Sequence, residues 1–197
     1  MYSEDAFIKP EDLVKRAALL GLEGVAITDH NEIKGALRAM ELAKELDLKI
    51  IPGEEVRTAG GDLLIYNIEE RIDPGMSVEE TIEVARELGG VVVIPHPFDS
   101  LRREALGGEA YRCIRMVDAV EIVNGRSLSR DNEKARLLAQ EFNKPGIGGS
   151  DAHLLRELGR VRTFLEGDDL LRPIKIEMNR PPTFLLDMFL SLLRKII

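Results

Sequence analysis

A chain of 197 residues, 44% hydrophobic and 31% charged, has the size and composition of one globular domain with a full core, not of a disordered or fibrous protein. Its formal net charge of −8 argues against broad binding to nucleic acid or to anionic membranes. A single cysteine, Cys113, excludes an intramolecular disulfide, and no apolar run reaches the roughly 20 residues that span a bilayer, so a reducing, cytoplasmic setting is expected. The polar N-terminus carries no signal-peptide pattern. Abundant Glu, Lys and Arg beside a single glutamine, Gln140, lean toward a thermophilic source.

Residues 1–7 show neither strand nor helix periodicity. Pro10 suits a first helical position, and Leu13, Val14, Ala17 and Leu20 form a helical stripe that Gly21 ends. Gly24-Val25-Ala26-Ile27 reads as a buried parallel strand that stops at Thr28-Asp29-His30-Asn31. Ile33, Leu37, Met40 and residues 43–46 make the next helix. Lys49-Ile50-Ile51-Pro52 is a strand ending in Gly53-Glu54-Glu55, and residues 62–68 form another after the Gly60-Gly61 turn.

Ser77-Val78-Glu79-Glu80 is a capping box opening a helix with Ile82, Ala85 and Leu88 inward. Val91-Val92-Val93-Ile94 is the most strand-like run and ends at Pro95-His96-Pro97. Residues 102–108 read as a charged loop, 109–116 as a helix, and 119–123 as a strand ending at Asn124-Gly125. Ser129 is expected to cap a helix running to Phe142. A strand over 144–147 then leads into Gly148-Gly149-Ser150-Asp151-Ala152-His153, and 161–165 is a last short strand. The repeated strand, polar loop, helix rhythm argues an α/β fold with parallel strands. No nucleotide-cradling glycine motif and no linker is present.

The chain has only three histidines, His30, His96 and His153, and each follows an expected strand. Glu55 and Asn124 stand at equivalent places after two others. In a barrel of parallel strands those ends converge on one face, where active sites lie. Asp151 and His153, two apart in an extended segment, would project to the same side. Carboxylate oxygen and imidazole nitrogen together are a ligand set for Zn²⁺, Mn²⁺ or Fe²⁺. Singly, each has a bland reading: a hydrogen-bonded structural histidine, or Ser150-Asp151 as a helix N-cap.

Four stretches in this order, Thr28-Asp29-His30-Asn31, Pro52-Gly53-Glu54-Glu55, Ile94-Pro95-His96-Pro97-Phe98 and Gly149-Ser150-Asp151-Ala152-His153, give the chain a specific resemblance. It resembles the PHP (polymerase and histidinol phosphatase) superfamily of metal-dependent phosphoesterases over nearly its whole length. The resemblance implies a distorted seven-stranded (β/α) TIM-like barrel over residues 1–180, with two or three divalent ions (Mn, Zn or Fe) in a complete site. It implies His30, Glu55, His96, Asp151 and His153 as ligands, the Gly-x-Glu spacing selecting Glu55 over Glu54. Tyr2-Ser3-Glu4-Asp5 matches the family's opening turn with one residue inserted, which makes Asp5 the counterpart of its acid. The family's preceding His-x-His strand is expected upstream of Met1, so the barrel's first strand is expected to be missing or altered. Where many relatives carry a metal-binding histidine, this chain has Asp62, read either as a ligand or as a turn cap.

The implied reaction is hydrolysis of a small phosphomonoester or a nucleotide by metal-activated water. His96 is the expected catalytic ligand, and Asp29 is expected to orient His30 or a neighbour. Arg102, Arg103 and Arg126, with Asn124, are candidate phosphate contacts by position, since guanidinium matches phosphate in a bidentate way. The bland reading of the three arginines is solvated surface charge. Two other functions compete: a catalytically silent barrel acting as an accessory protein, and a metal-dependent amidohydrolase. Residues 184–197 read as an apolar helix with Thr183, Asp187, Ser191 and Lys195 on a narrow polar stripe. Within the segment 181–197 that helix could pack on the barrel, mediate self-association, or attach to a membrane surface. The open barrel seam is a second route to a homo-oligomer.

Overall fold

A computed structural model describes residues 8–179. The expectations for Asp5 and for the 184–197 helix lie outside the described residues. Six strands form one curled sheet: β1 (Gly24–His30), β2 (Lys49–Arg57), β3 (Asp62–Tyr66), β4 (Val91–Ile94), β5 (Ala119–Asn124) and β6 (Gly146–Gly149). Their order in space is their order in the chain. Helices α1 (Pro10–Leu19), α2 (Lys34–Ala43), α3 (Val78–Glu87), α4 (Glu109–Cys113) and α5 (Ser129–Glu141) accompany them. Strand β7 (Val161–Leu165) pairs with β8 (Pro173–Met178) in a separate antiparallel ribbon. No helix among the described residues is long and apolar enough to cross a membrane.

The sheet is mixed rather than wholly parallel. Strand β3 runs antiparallel to both β2 and β4, while the remaining neighbours are parallel. The cause is local. Only residues 58–61 separate β2 from β3, too few for a crossover, so the chain must reverse as a hairpin. Thr58 closes that turn, its Oγ1 donating to the Gly61 carbonyl at 2.5 Å and accepting from the Gly60 and Gly61 N–H groups. Three further expectations are corrected. Strand β6 is displaced to Gly146–Gly149 and stops before Asp151, whose φ of 49° leaves the extended region, so Asp151 and His153 do not share an extended segment. Helix α4 ends at Cys113. Ser129 is the first helical residue, and the cap position is Leu128, without a side-chain cap. Strand β8 was not expected; Pro173 and the alternating charges of this edge ribbon mask it.

The two faces of the sheet separate the core from the site. One row, including Val56, Leu63, Ile65, Val92, Ile94 and Val120, packs under the helices with Ile82, Ile114 and Leu138. Each such side chain contributes about 1.5–3 kcal/mol by leaving water. The alternate row, Leu64, Tyr66, Val93, Ala119 and Ile147, forms a smaller apolar cluster on the opposite face. The capping box of α3 is present in full: Glu80 N–H donates to Ser77 Oγ at 3.2 Å, and Ser77 N–H to Glu80 Oε2 at 3.0 Å.

Candidate metal centre

The site grows from the register of β1, β2 and β3. His30 ends β1 and lies directly opposite Glu55. Because strand residues alternate, Glu55 faces the histidines and Glu54 faces the helix-covered side, where its Oε2 accepts the Ile72 N–H at 2.9 Å. Glu55 reaches two imidazoles at once: Oε2 is 3.5 Å from His30 Nε2 and Oε1 is 3.1 Å from His96 Nε2. The reversal at the hairpin brings the first residue of β3, Asp62, to the same rim, where it is buried and paired with Arg57. Ligand atoms of His30, Glu55 and Asp62 all lie within 4.8 Å of one another.

A second half-site lies on the other side of Glu55. His96 follows β4 with φ 26°, a left-handed conformation strained for a side-chain-bearing residue. Two bonds hold it there: its N–H donates to Glu121 Oε2 at 2.9 Å, and its carbonyl accepts from Asp99 N–H at 3.1 Å. Asp151 pairs with Arg102 and accepts from Asn124 Nδ2 at 3.2 Å. His153 donates from Nδ1 to the Asp151 carbonyl at 3.0 Å, which leaves Nε2 to carry the lone pair. Glu157 fixes the segment beyond, accepting the His153 and Leu154 N–H groups at 2.8 and 3.0 Å.

The charges on these groups follow from their neighbours. Burial alone would raise Glu55, but His30 and then His96 hold its carboxyl below the usual range. Burial opposes ionisation of Asp151 too, and Arg102, helped by His153 and His96, holds it well below its ordinary value. Asp62 is raised by burial and by Glu55, against the pull of Arg57. Burial pushes Glu121 up to about 7. Burial and Arg102 both work against charge on His96, yet the Glu55 hydrogen bond and the charges of Glu55 and Glu121 leave it raised.

The structure thus brings His30, Glu55, His96, Asp151, His153, Arg102 and Asn124 to one rim. Arg102 is not a solvated surface charge; its side chain is 17% exposed and enclosed by Asp151, Asp99 and His96. Arg126 is buried against Glu157, with Nη1 at 3.1 and 3.2 Å from the two carboxylate oxygens. Arg103 is exposed. Asp29, half-buried beside His30, lines the cavity described below. Sequence reading missed Glu121 and Glu157. The signal for Glu121 was an acid inside the otherwise apolar run Ala119-Val120-Glu121-Ile122-Val123. Its side chain lies so close to Gly149 that a Cβ there would stand 2.7 Å from Glu121 Oε1, which accounts for glycine at that position.

A cavity of about 610 Å³ opens from this rim along the inner face of the sheet, with Ile27, Ile51, Tyr66 and Ile147 among its apolar walls. The donor set is imidazole nitrogen plus carboxylate oxygen, and His96 Nδ1 is buried without a hydrogen-bond partner among the described residues. Those donors fit a divalent cation of the Mn²⁺, Zn²⁺ or Fe²⁺ kind.

Comparisons with known proteins bear on the family and the fold. The PHP domain family matches residues 1–144, and a PHP-associated family matches residues 129–176. An uncharacterized protein of Methanocaldococcus jannaschii is 37% identical over 120 residues, covering 61% of this chain and 68% of that protein. A second uncharacterized protein of the same organism is 30% identical over 159 residues, covering 78% and 62% respectively, so the chain spans about two thirds of the length of these relatives. Among solved structures, PsfC from Pseudomonas syringae superimposes with a TM-score of 0.68 at 18% identity, over 94% of this chain and 88% of that one. A proposed metal-dependent phosphoesterase from Bifidobacterium adolescentis does so with a TM-score of 0.65 at 17% identity, over 95% and 92%. At those identities the likeness concerns the fold alone. With the family match covering most of the sequence and the histidine–carboxylate rim in place, the chain belongs to the PHP domain family.

Proposed function

We propose that this protein is a metal-dependent phosphoesterase acting on a small phosphomonoester or a nucleotide. The observation that carries the reading is Glu55, a buried carboxylate whose two oxygens face His30 and His96 separately, with Asp62 on one flank and Asp151 on the other. Such a cluster is costly to bury and contributes nothing to packing, which favours catalysis over a silent scaffold. In this reading His30, Glu55 and Asp62 hold one cation, while His96, Asp151 and His153, together with Glu55, hold another. Bound there, divalent cations supply Lewis-acid polarisation of the phosphate and make water acidic near neutral pH.

The other residues position and neutralise. Glu121 holds the backbone of His96, and Glu157 holds that of His153. Asn124 steadies Asp151, and Asp29 is the proposed orienting partner beside His30. Arg102 and Arg103 are the proposed phosphate contacts, while Arg126 acts through the Glu157 carboxylate that it neutralises. The apolar walls of the cavity suit a substrate with a carbon skeleton beyond its phosphate. A Chromobacterium violaceum protein described as an amidohydrolase, crystallised with sulfate, has a similar fold (TM-score 0.64, 15% identity, 95% of this chain and 93% of that one), so amide substrates belong in the test.

The test is a panel of phosphomonoesters, nucleotides and amides, assayed with added Mn²⁺ for the native protein and for Glu55→Gln. Phosphate release that needs Mn²⁺ and falls at least about a hundredfold in the variant is expected. Amide hydrolysis alone, or phosphate release equal in the two proteins, would sink the reading.

A further inference from the structure

We infer that Arg102 is a built-in competitor for the metal: its guanidinium takes the corner of the site formed by Asp151 Oδ2 and His96 Nε2, and a divalent cation displaces it. This rests on the metal-centre reading above and adds a residue that tunes cation affinity. Arg102 Nη2 is paired with Asp151 Oδ2, and its Nη1 lies 3.3 Å from His96 Nε2. Those are two of the donor atoms that the metal reading requires. His96 Nε2 already faces Glu55 Oε1 at 3.1 Å, and the guanidinium 3.3 Å away occupies space that a cation bound to that nitrogen would need. A cation on Asp151 would also stand against a fixed positive charge at van der Waals distance, with little water to screen it.

The surroundings explain why the guanidinium belongs there. Glu55, Glu121 and Asp151 crowd one buried rim, and unopposed carboxylates in such a place are destabilising. Arg102 supplies the compensating charge from within the chain. Its third contact, Nε to Asp99 Oδ2 at 3.3 Å, is independent of the donor set. Asp99 is itself anchored, accepting from Ser127 Oγ at 2.7 Å and from the Leu101 N–H at 2.9 Å. Arg102 can therefore leave Asp151 and His96 while Asp99 retains it. The apparent affinity for the cation is then reduced by the fraction of molecules in which Arg102 is closed on Asp151.

The experiment is calorimetric titration of Mn²⁺, and separately of Zn²⁺, into the EDTA-stripped full chain. It compares the native protein, Arg102→Ala, Arg102→Gln and, as a control, Arg112→Ala, which removes the same charge from an exposed position on α4. A closed fraction near nine in ten predicts about tenfold tighter binding by Arg102→Ala, a smaller gain for Arg102→Gln, and less than about a twofold change for Arg112→Ala. Thermal unfolding in EDTA should show Arg102→Ala less stable than the native protein, with the gap closing when Mn²⁺ is present. If Arg102→Ala fails to fold, Arg102→Gln carries the same comparison. Equal or weaker binding in the Arg102 variants, while the native protein does bind metal, overturns the inference and leaves the metal centre standing. If no protein in the set binds either ion, the metal-centre reading falls and the inference with it.

Discussion

Replacing Glu54 by glutamine should change the pH dependence of stability without touching the site. Glu54 is fully buried on the helix-covered face of β2; Ile72 N–H donates to its Oε2, and Oε1 has no hydrogen-bond partner among the described residues. Burial pushes its carboxyl from an ordinary 4.5 up to about 7; Arg71 opposes the rise, and Glu32 and Asp73 add to it. The folded-state value lies above the unfolded one. The stability tied to the neutral acid is therefore fully present below about pH 4.5 and is lost as the pH rises through about 7. The whole difference corresponds to about 3 kcal/mol, of which about 2.5 kcal/mol falls between about pH 5 and pH 8.5.

Glutamine keeps an oxygen for Ile72 and cannot ionise. Its NH₂ meets the place where Oε1 has no partner, at a pH-independent cost of about 1–3 kcal/mol. Glu54→Gln is therefore expected to be the less stable protein near pH 5 and to draw level with or pass the native protein near pH 8.5. The measurement is urea unfolding of both proteins in EDTA across that range, where all other titrating groups are common to the pair. Parallel stability curves would refute the argument. Calorimetric Mn²⁺ affinity should be unchanged, since Glu54 points away from the histidines; a loss comparable to that of Glu55→Gln would show that the strand alternation has been misassigned.

Glu157→Gln leaves Arg126 facing a neutral amide and weakens the acceptor for the His153 and Leu154 N–H groups; a loss of about 3–5 kcal/mol in urea unfolding is expected, together with weaker Mn²⁺ binding. Gly149→Ala sets a Cβ against Glu121 Oε1 and so disturbs the bond that holds His96. About 1–3 kcal/mol of stability and a measurable share of metal affinity should go, whereas Gly108→Ala, which meets nothing within 4 Å, should affect neither affinity nor metal content.

Most of the strands and the donor residues were legible because they obey simple periodicities. Apolar runs of four to six residues ended at His30, Glu55, His96 and Asn124, and parallel pairing placed those ends on one rim. The alternation of a strand also separated Glu55 from Glu54 as the resemblance implied. What escaped depended on pairing partners rather than on local sequence. The direction of β3 followed from the shortness of the 58–61 connection, a clue that the strand–helix rhythm concealed. Glu121 lies inside a strand, beside a register shift between Glu121 and Val123, so a search confined to strand ends passes over it. The enclosure of Arg102 and Arg126 needs the distant carboxylates Asp151 and Glu157, which no window of sequence around the arginines contains.

Each strand of the sheet pairs with the strand before it, so no strand has to wait for a later one before it finds its first partner. A nascent polypeptide could add strands in the order in which they leave the ribosome. The donor groups would then arrive in sequence: His30 meets Glu55, Asp62 joins at the hairpin, His96 follows, and Asp151 and His153 come last. Arg102 is synthesised before the carboxylate that captures it, so the growing chain passes through a stage in which His96 and Glu55 are assembled and that guanidinium has not yet found Asp151. Cation capture during synthesis would meet the least competition at that stage.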